Sequence, residues 1–77
     1  MKKVIVGQWD GEQYELEVED SATVGDVLRT AHLTPGSQQS ITAFSDASTV
    51  RANEVARNGE TYLLTGNHVS GFYFFMS

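Results

Sequence analysis

Tyr14-Glu15-Leu16-Glu17-Val18-Glu19-Asp20 runs directly into Ser21-Ala22-Thr23-Val24-Gly25-Asp26-Val27-Leu28-Arg29-Thr30-Ala31, and the apolar period changes between the two. In the first stretch Tyr14, Leu16 and Val18 alternate with Glu15, Glu17 and Glu19. This period of two predicts a strand with one apolar face and one carboxylate face. In the second, Val24, Val27, Leu28 and Ala31 fall at i, i+3, i+4 and i+7, the stripe of an amphipathic helix. Thr23 stands at the N-cap position. Asp26, three residues on, completes an approximate capping box and suits the positive end of the helix dipole. Gly25 in the first turn lowers helix propensity. Leu33-Thr34-Pro35-Gly36 is expected to end the helix after about nine or ten residues, because proline cannot continue it.

Working outward, Lys2-Lys3-Val4-Ile5-Val6 is β-branched and bounded by Gly7. Gln8-Trp9-Asp10-Gly11 carries an Asp-Gly turn signal, so the amino-terminal half reads as a β-hairpin followed by a helix. Beyond the polar loop Gly36–Ser40, Ile41-Thr42-Ala43-Phe44 reads as a strand and Ser48–Ala52 as a short one around Val50. Asn53–Arg57 reads as a turn of helix or an irregular connection. Asn58-Gly59 is the second clear turn, followed by the strand Thr61-Tyr62-Leu63-Leu64-Thr65. The expected core is Val4, Val6, Leu16, Val18, Val24, Val27, Leu28, Ala31, Ile41 and Leu63, with the helical stripe facing the sheet.

The order of hairpin, helix, further strands and a last strand after an Asn-Gly turn is that of the α+β β-grasp, or ubiquitin-like, fold. Thr23-Val24-Gly25-Asp26-Val27-Leu28-Arg29 resembles the helix start of the small sulfur-carrier proteins of molybdopterin and thiamine biosynthesis. Asn58-Gly59-Glu60-Thr61-Tyr62-Leu63-Leu64 is similar to the turn and final strand of that superfamily, and Val69-Ser70-Gly71 to the approach to its terminus. The resemblance implies a mixed sheet packed on one helix. It covers roughly residues 2–71, giving a domain at 1–71 and a hydrophobic extension at 72–77 packed on it or on a partner as an extra strand.

The carriers of that family end in Gly-Gly, whose terminal carboxylate is activated. Here Gly71 is followed by Phe72 and five further residues. The carrier or modifier reading therefore requires trimming to Gly71, and an intact chain has no glycine carboxylate to activate.

Composition narrows the remaining classes. The 77 residues hold five Lys+Arg against ten Asp+Glu, a net charge of −5. That balance argues against nucleic acid and against anionic membrane surfaces, whose affinity comes from basic side chains. No apolar run approaches the roughly 20 residues needed to span a bilayer. The apolar run after Met1 stops at Gly7, too short for a signal peptide. A cytoplasmic location is the expectation. With no Cys the chain has neither disulfides nor thiolate ligands, and a core of this size rarely supplies more than roughly 3–5 kcal/mol.

His32 and His68 alone build no metal or acid–base site, and read as helix-end and turn residues. No Gly-x-Ser-x-Gly elbow is present. Neither an enzyme nor a cofactor is expected. Two features remain as candidates for contact with protein, either another copy or a larger assembly. Trp9 stands beside the Asp-Gly turn, as an interface anchor or as a lid on the small core. Phe72, Tyr73, Phe74, Phe75 and Met76 hold four of the chain's eight aromatic rings. In an extended chain Phe72, Phe74 and Met76 share one face and Tyr73 and Phe75 the other, so one sheet face cannot hide them all. The row Glu15, Glu17, Glu19 reads either as a solvated strand face or as a dock for a basic partner.

Overall fold

The computed structural model describes residues 1–66. The expectations placed on Gly71, Phe72–Met76 and the extra strand lie outside the described residues.

Alternation along the first two apolar runs produces β1 (Lys2–Gln8) and β2 (Gln13–Val18), paired antiparallel with Val4 opposite Leu16 and Lys2 opposite Val18. The connecting turn is wider than a two-residue hairpin. Gln8 N–H donates to the Glu12 carbonyl at 3.3 Å, and Gly11 N–H donates back to Gln8 at 3.2 Å. The later strands are β3 (Gln39–Ala43), β4 (Ser48–Val50) and β5 (Thr61–Gly66). The sheet order is β2-β1-β5-β3-β4, with β5 parallel to β1 and antiparallel to β3. The protein is thus α+β, with one helix and a mixed five-stranded sheet among the described residues, and is compatible with a β-grasp-like fold.

The helix α1 (Val24–Thr30) begins as its capping box predicts: Asp26 N–H donates to Thr23 Oγ1 and Thr23 N–H to the Asp26 carboxylate, each at 3.1 Å. It is shorter than expected, seven residues, and Pro35 is not what stops it. His32 takes φ +60°; its N–H reaches the Arg29 carbonyl at 3.0 Å, and Leu33 N–H reaches that of Leu28 at 2.9 Å. This pair of bonds is the Schellman closure of a helix C-terminus. A non-glycine residue in the left-handed region ends the helix three residues before the proline, and gives His32 a backbone role.

Gly25 also acquires a reason. The Val24 and Gly25 N–H groups donate to the carbonyls of Glu54 and Ala52, each at 2.8 Å, so the 51–55 loop satisfies donors that a helix start leaves open. A Cβ on Gly25 would sit 3.1 Å from the Ala52 oxygen. Here close approach opposes helix propensity.

The core lies between α1 and one sheet face. Val4, Val6, Val18, Val24, Val27, Leu28 and Ile41 are buried as expected, joined by Ala43, Val50, Ala56, Tyr62 and Leu64. Leu16 and Ala31 are corrections: both are only partly buried and pack against the cluster from outside, Leu16 because its strand is the sheet edge. Leu63 is buried too, but its register partners Gly7 and Thr42 put it on the opposite face from Tyr62 and Leu64.

Candidate functional site

That opposite face has no helix over it among the described residues, and it carries the largest exposed aromatic feature. In β1 the alternation that sends Val4 and Val6 inward sends Lys3, Ile5 and Gly7 outward, and Trp9 follows them. In β3 the outward residues are Ser40 and Thr42, followed by Phe44 just past the strand. Trp9 is 58% exposed and Phe44 60%, yet their ring centroids are 6.3 Å apart with planes tilted at 49°. The separation lies within the roughly 4.5–7 Å over which aromatic rings attract one another, in a tilted arrangement. Leu63 lies between them in register, on the central strand.

Both rings are held from the backbone. Trp9 N–H donates to the Leu64 carbonyl at 3.0 Å and Phe44 N–H to that of Thr61 at 2.8 Å, so each is tied to β5. The β3–β4 turn that presents Phe44 is pinned on both sides. Ser45 is bound to the Glu60 carboxylate through its hydroxyl and its N–H. Asp46 accepts the Ser48 hydroxyl at 2.7 Å and the Ser48 N–H at 3.1 Å, and these bonds, the hydroxyl first, hold its carboxyl below the usual carboxylate range. Ala47 takes φ +58° to complete the turn.

Beside the ring pair lies an open groove of about 530 Å³, lined by Trp9, Phe44 and Ala47, by Thr42 and Thr65, and by the polar Asp10 and Gln39. The two threonine hydroxyls bond each other at 2.8 Å, which leaves them largely self-satisfied. The volume lies within the roughly 300–1,000 Å³ of ligand-sized concavities, enough for a few side chains. Gly66 forms the end of the groove. Its φ is +109°, and a Cβ there would lie 2.6 Å from the Gln38 carbonyl oxygen, so only glycine carries the chain past β3 at this point.

Trp9, singled out in the sequence, therefore stands on the helix-free face of the sheet and not over the open end of the core. Phe44 was not singled out. The signal for it was present in the alternation Ile41, Thr42, Ala43, Phe44, which puts Phe44 on the face away from Ile41. Only the pairing with Trp9, 35 residues away in sequence, makes it part of a site. Glu15 and Glu17 are exposed on the same face, opposite Ile5 and Lys3, and Glu19 is exposed beyond the strand. His32 is exposed at the helix end, remote from the groove in the fold.

Among the described residues no three His, Asp or Glu side chains gather as metal ligands. No helix among them is long and apolar enough to cross a membrane. Among the described residues the groove combines exposed aromatic surface with paired threonine hydroxyls. The sequence matches no known family model, and no curated protein resembles it significantly.

Proposed function

We propose that the protein is a non-catalytic, ubiquitin-like β-grasp module for protein–protein interaction and assembly, which self-associates through its aromatic carboxyl-terminal segment. The fold part of this reading is supported by the mixed sheet with β5 parallel to β1 at its centre and a single helix on one face. The observation that carries the functional part is the exposed Trp9–Phe44 pair on the other face, beside the strand end from which the chain continues to Phe72–Met76. Exposed aromatics that cluster, unlike scattered ones, mark contact surfaces. Self-association would add stability that a short, disulfide-free chain otherwise lacks.

The test is molar mass by light scattering across a concentration series, for the full chain and for Tyr73→Ser/Phe75→Ser. The full chain is expected to exceed the monomer mass as concentration rises, and the double variant to remain monomeric with unchanged far-ultraviolet circular dichroism. A full chain that stays monomeric throughout, and recruits no partner through the segment, removes this reading.

A further inference from the structure

We infer that the Trp9–Phe44 groove is the docking site of the chain's own segment Phe72–Met76, with Phe72, Phe74 and Met76 turned into it and Tyr73 and Phe75 turned outward. The inference deepens the proposed function: it says which side of the segment is spent on the domain itself and which remains for another molecule.

Topology supplies the first argument. The chain leaves the described fold from β5, the central strand, whose two in-plane neighbours are already taken by β1 and β3. The segment cannot continue as a hairpin partner of β5, because no vacant edge lies beside it. In-plane addition would have to be to β2 or β4, the outer strands, each one strand removed from β5, so a face of the sheet is the more direct course. One face is filled by α1 and the core cluster; the other is open, and Gly66, where the chain leaves β5, itself lines the groove there.

Reach supplies the second. Five residues, Asn67 to Gly71, separate the groove end from Phe72, and at about 3.3–3.6 Å per residue they span up to roughly 17 Å. That allows the direction to reverse over the sheet. Phe72–Met76, five residues in extended form, is about 16 Å long, the length of the five-residue β3 that forms one flank. A tether this short keeps the segment at an effective concentration of order mM, well above that of a second copy in dilute solution.

Chemistry supplies the third. Two exposed aromatic rings border the groove and its threonine hydroxyls are paired with each other, while Asp10 adds a carboxylate to the lining, so it suits uncharged aromatic side chains better than acidic ones. Alternation then divides the segment. The inward set covers Trp9 and Phe44, while Tyr73 and Phe75 form a new outer patch, the surface through which copies would associate.

Trp9 is the only tryptophan, so its fluorescence reports on the groove alone. In the full chain, acrylamide quenching of Trp9 is expected to be at least about twofold weaker than in Phe72→Ser/Phe74→Ser, with emission at shorter wavelength, because the inward rings shield it. The shielding should persist in Tyr73→Ser/Phe75→Ser and should not change on hundredfold dilution.

A second measurement does not depend on how the double variants fold. The chain has no Cys, so Ser77→Cys takes a single spin label at the end of the segment. With labelled chains diluted into excess unlabelled chain, the Trp9 indole N–H of the labelled molecules is expected to broaden. Broadening seen only on unlabelled molecules mixed with labelled ones would assign the groove to a second copy and overturn the inference. Equal quenching with and without Phe72 and Phe74 would overturn it as well. Neither outcome touches the light-scattering result, so failure of the docking inference and failure of the self-association reading remain separable.

Discussion

Glu60, buried just before β5, accepts the hydroxyl of Ser45 at 2.7 Å and its backbone N–H at 3.0 Å. The same carboxylate accepts Thr61 N–H at 3.1 Å and lies 3.3 Å from the Arg57 guanidinium. A buried carboxylate with this many donors ties the turn that presents Phe44 to the central strand. Burial by itself pushes the Glu60 carboxyl up, but the Ser45 and Thr61 hydrogen bonds and Arg57 together outweigh it, and the group is held below its ordinary value of 4.5.

The consequence is a stability that depends on pH. Because the folded value is depressed, the unfolded chain binds the proton more readily. The contribution of Glu60 is therefore fully present above pH 4.5 and is lost as pH falls through the folded value. Glu60→Gln is expected to cost about 1–3 kcal/mol near neutral pH, with the gap to wild type narrowing on acidification. Urea midpoints of the two proteins at a series of pH values check this, and a gap independent of pH would show the charge to be irrelevant.

Lys2 is buried on the helix side of β1. Its ammonium donates to the carbonyls of Asp20 at 2.6 Å and Ala22 at 3.3 Å, and to that of Ala56. It thereby ties together the β2–α1 connection and the loop before β5. Lys2→Met keeps most of the apolar stem but removes the ammonium from all three carbonyls, of which Ala22 keeps the Ala56 N–H. The expected loss is about 2–3 kcal/mol, read from chemical denaturation; a loss within a few tenths would show that water replaces the ammonium.

Leu28 is the largest residue that α1 buries against the sheet, 2% exposed. Leu28→Ala should cost about 2–5 kcal/mol through lost burial and the cavity left behind. Thermal or urea unfolding measures it, and a cost near zero would mean that the helix is not part of the core.

Glu15, Glu17 and Glu19 are exposed, and Glu17 stands opposite Lys3 in register. Solvated strand-face charges of this kind contribute little to contact energy. Replacing the three by Gln together is expected to leave the tail-dependent association constant within about twofold at low and moderate salt. A large, salt-dependent loss measured by light scattering would instead make this row a docking surface.

What could be read from the chain by itself was most of what near neighbours govern, the helix end at His32 excepted. The strand alternation of Tyr14–Glu19, the Thr23/Asp26 capping box, the stripe of Val24, Val27 and Leu28, and the strand after Asn58-Gly59 arise from backbone geometry within a few residues, so the local pattern suffices. Tertiary structure decided the rest. Pairing of β5 in parallel with β1, set by contacts 56 residues apart, makes β5 the central strand and leaves the continuing chain no free edge beside it. Docking of the 51–55 loop on Gly25 gives a helix-weakening residue a packing role, because a Cβ there would crowd Ala52. Burial of Lys2 and Glu60 depends on acceptors and donors brought in from other segments, which composition alone would place at the surface. The Trp9–Phe44 groove exists only because two strands separated in sequence flank the same third strand, on the face that the helix leaves open.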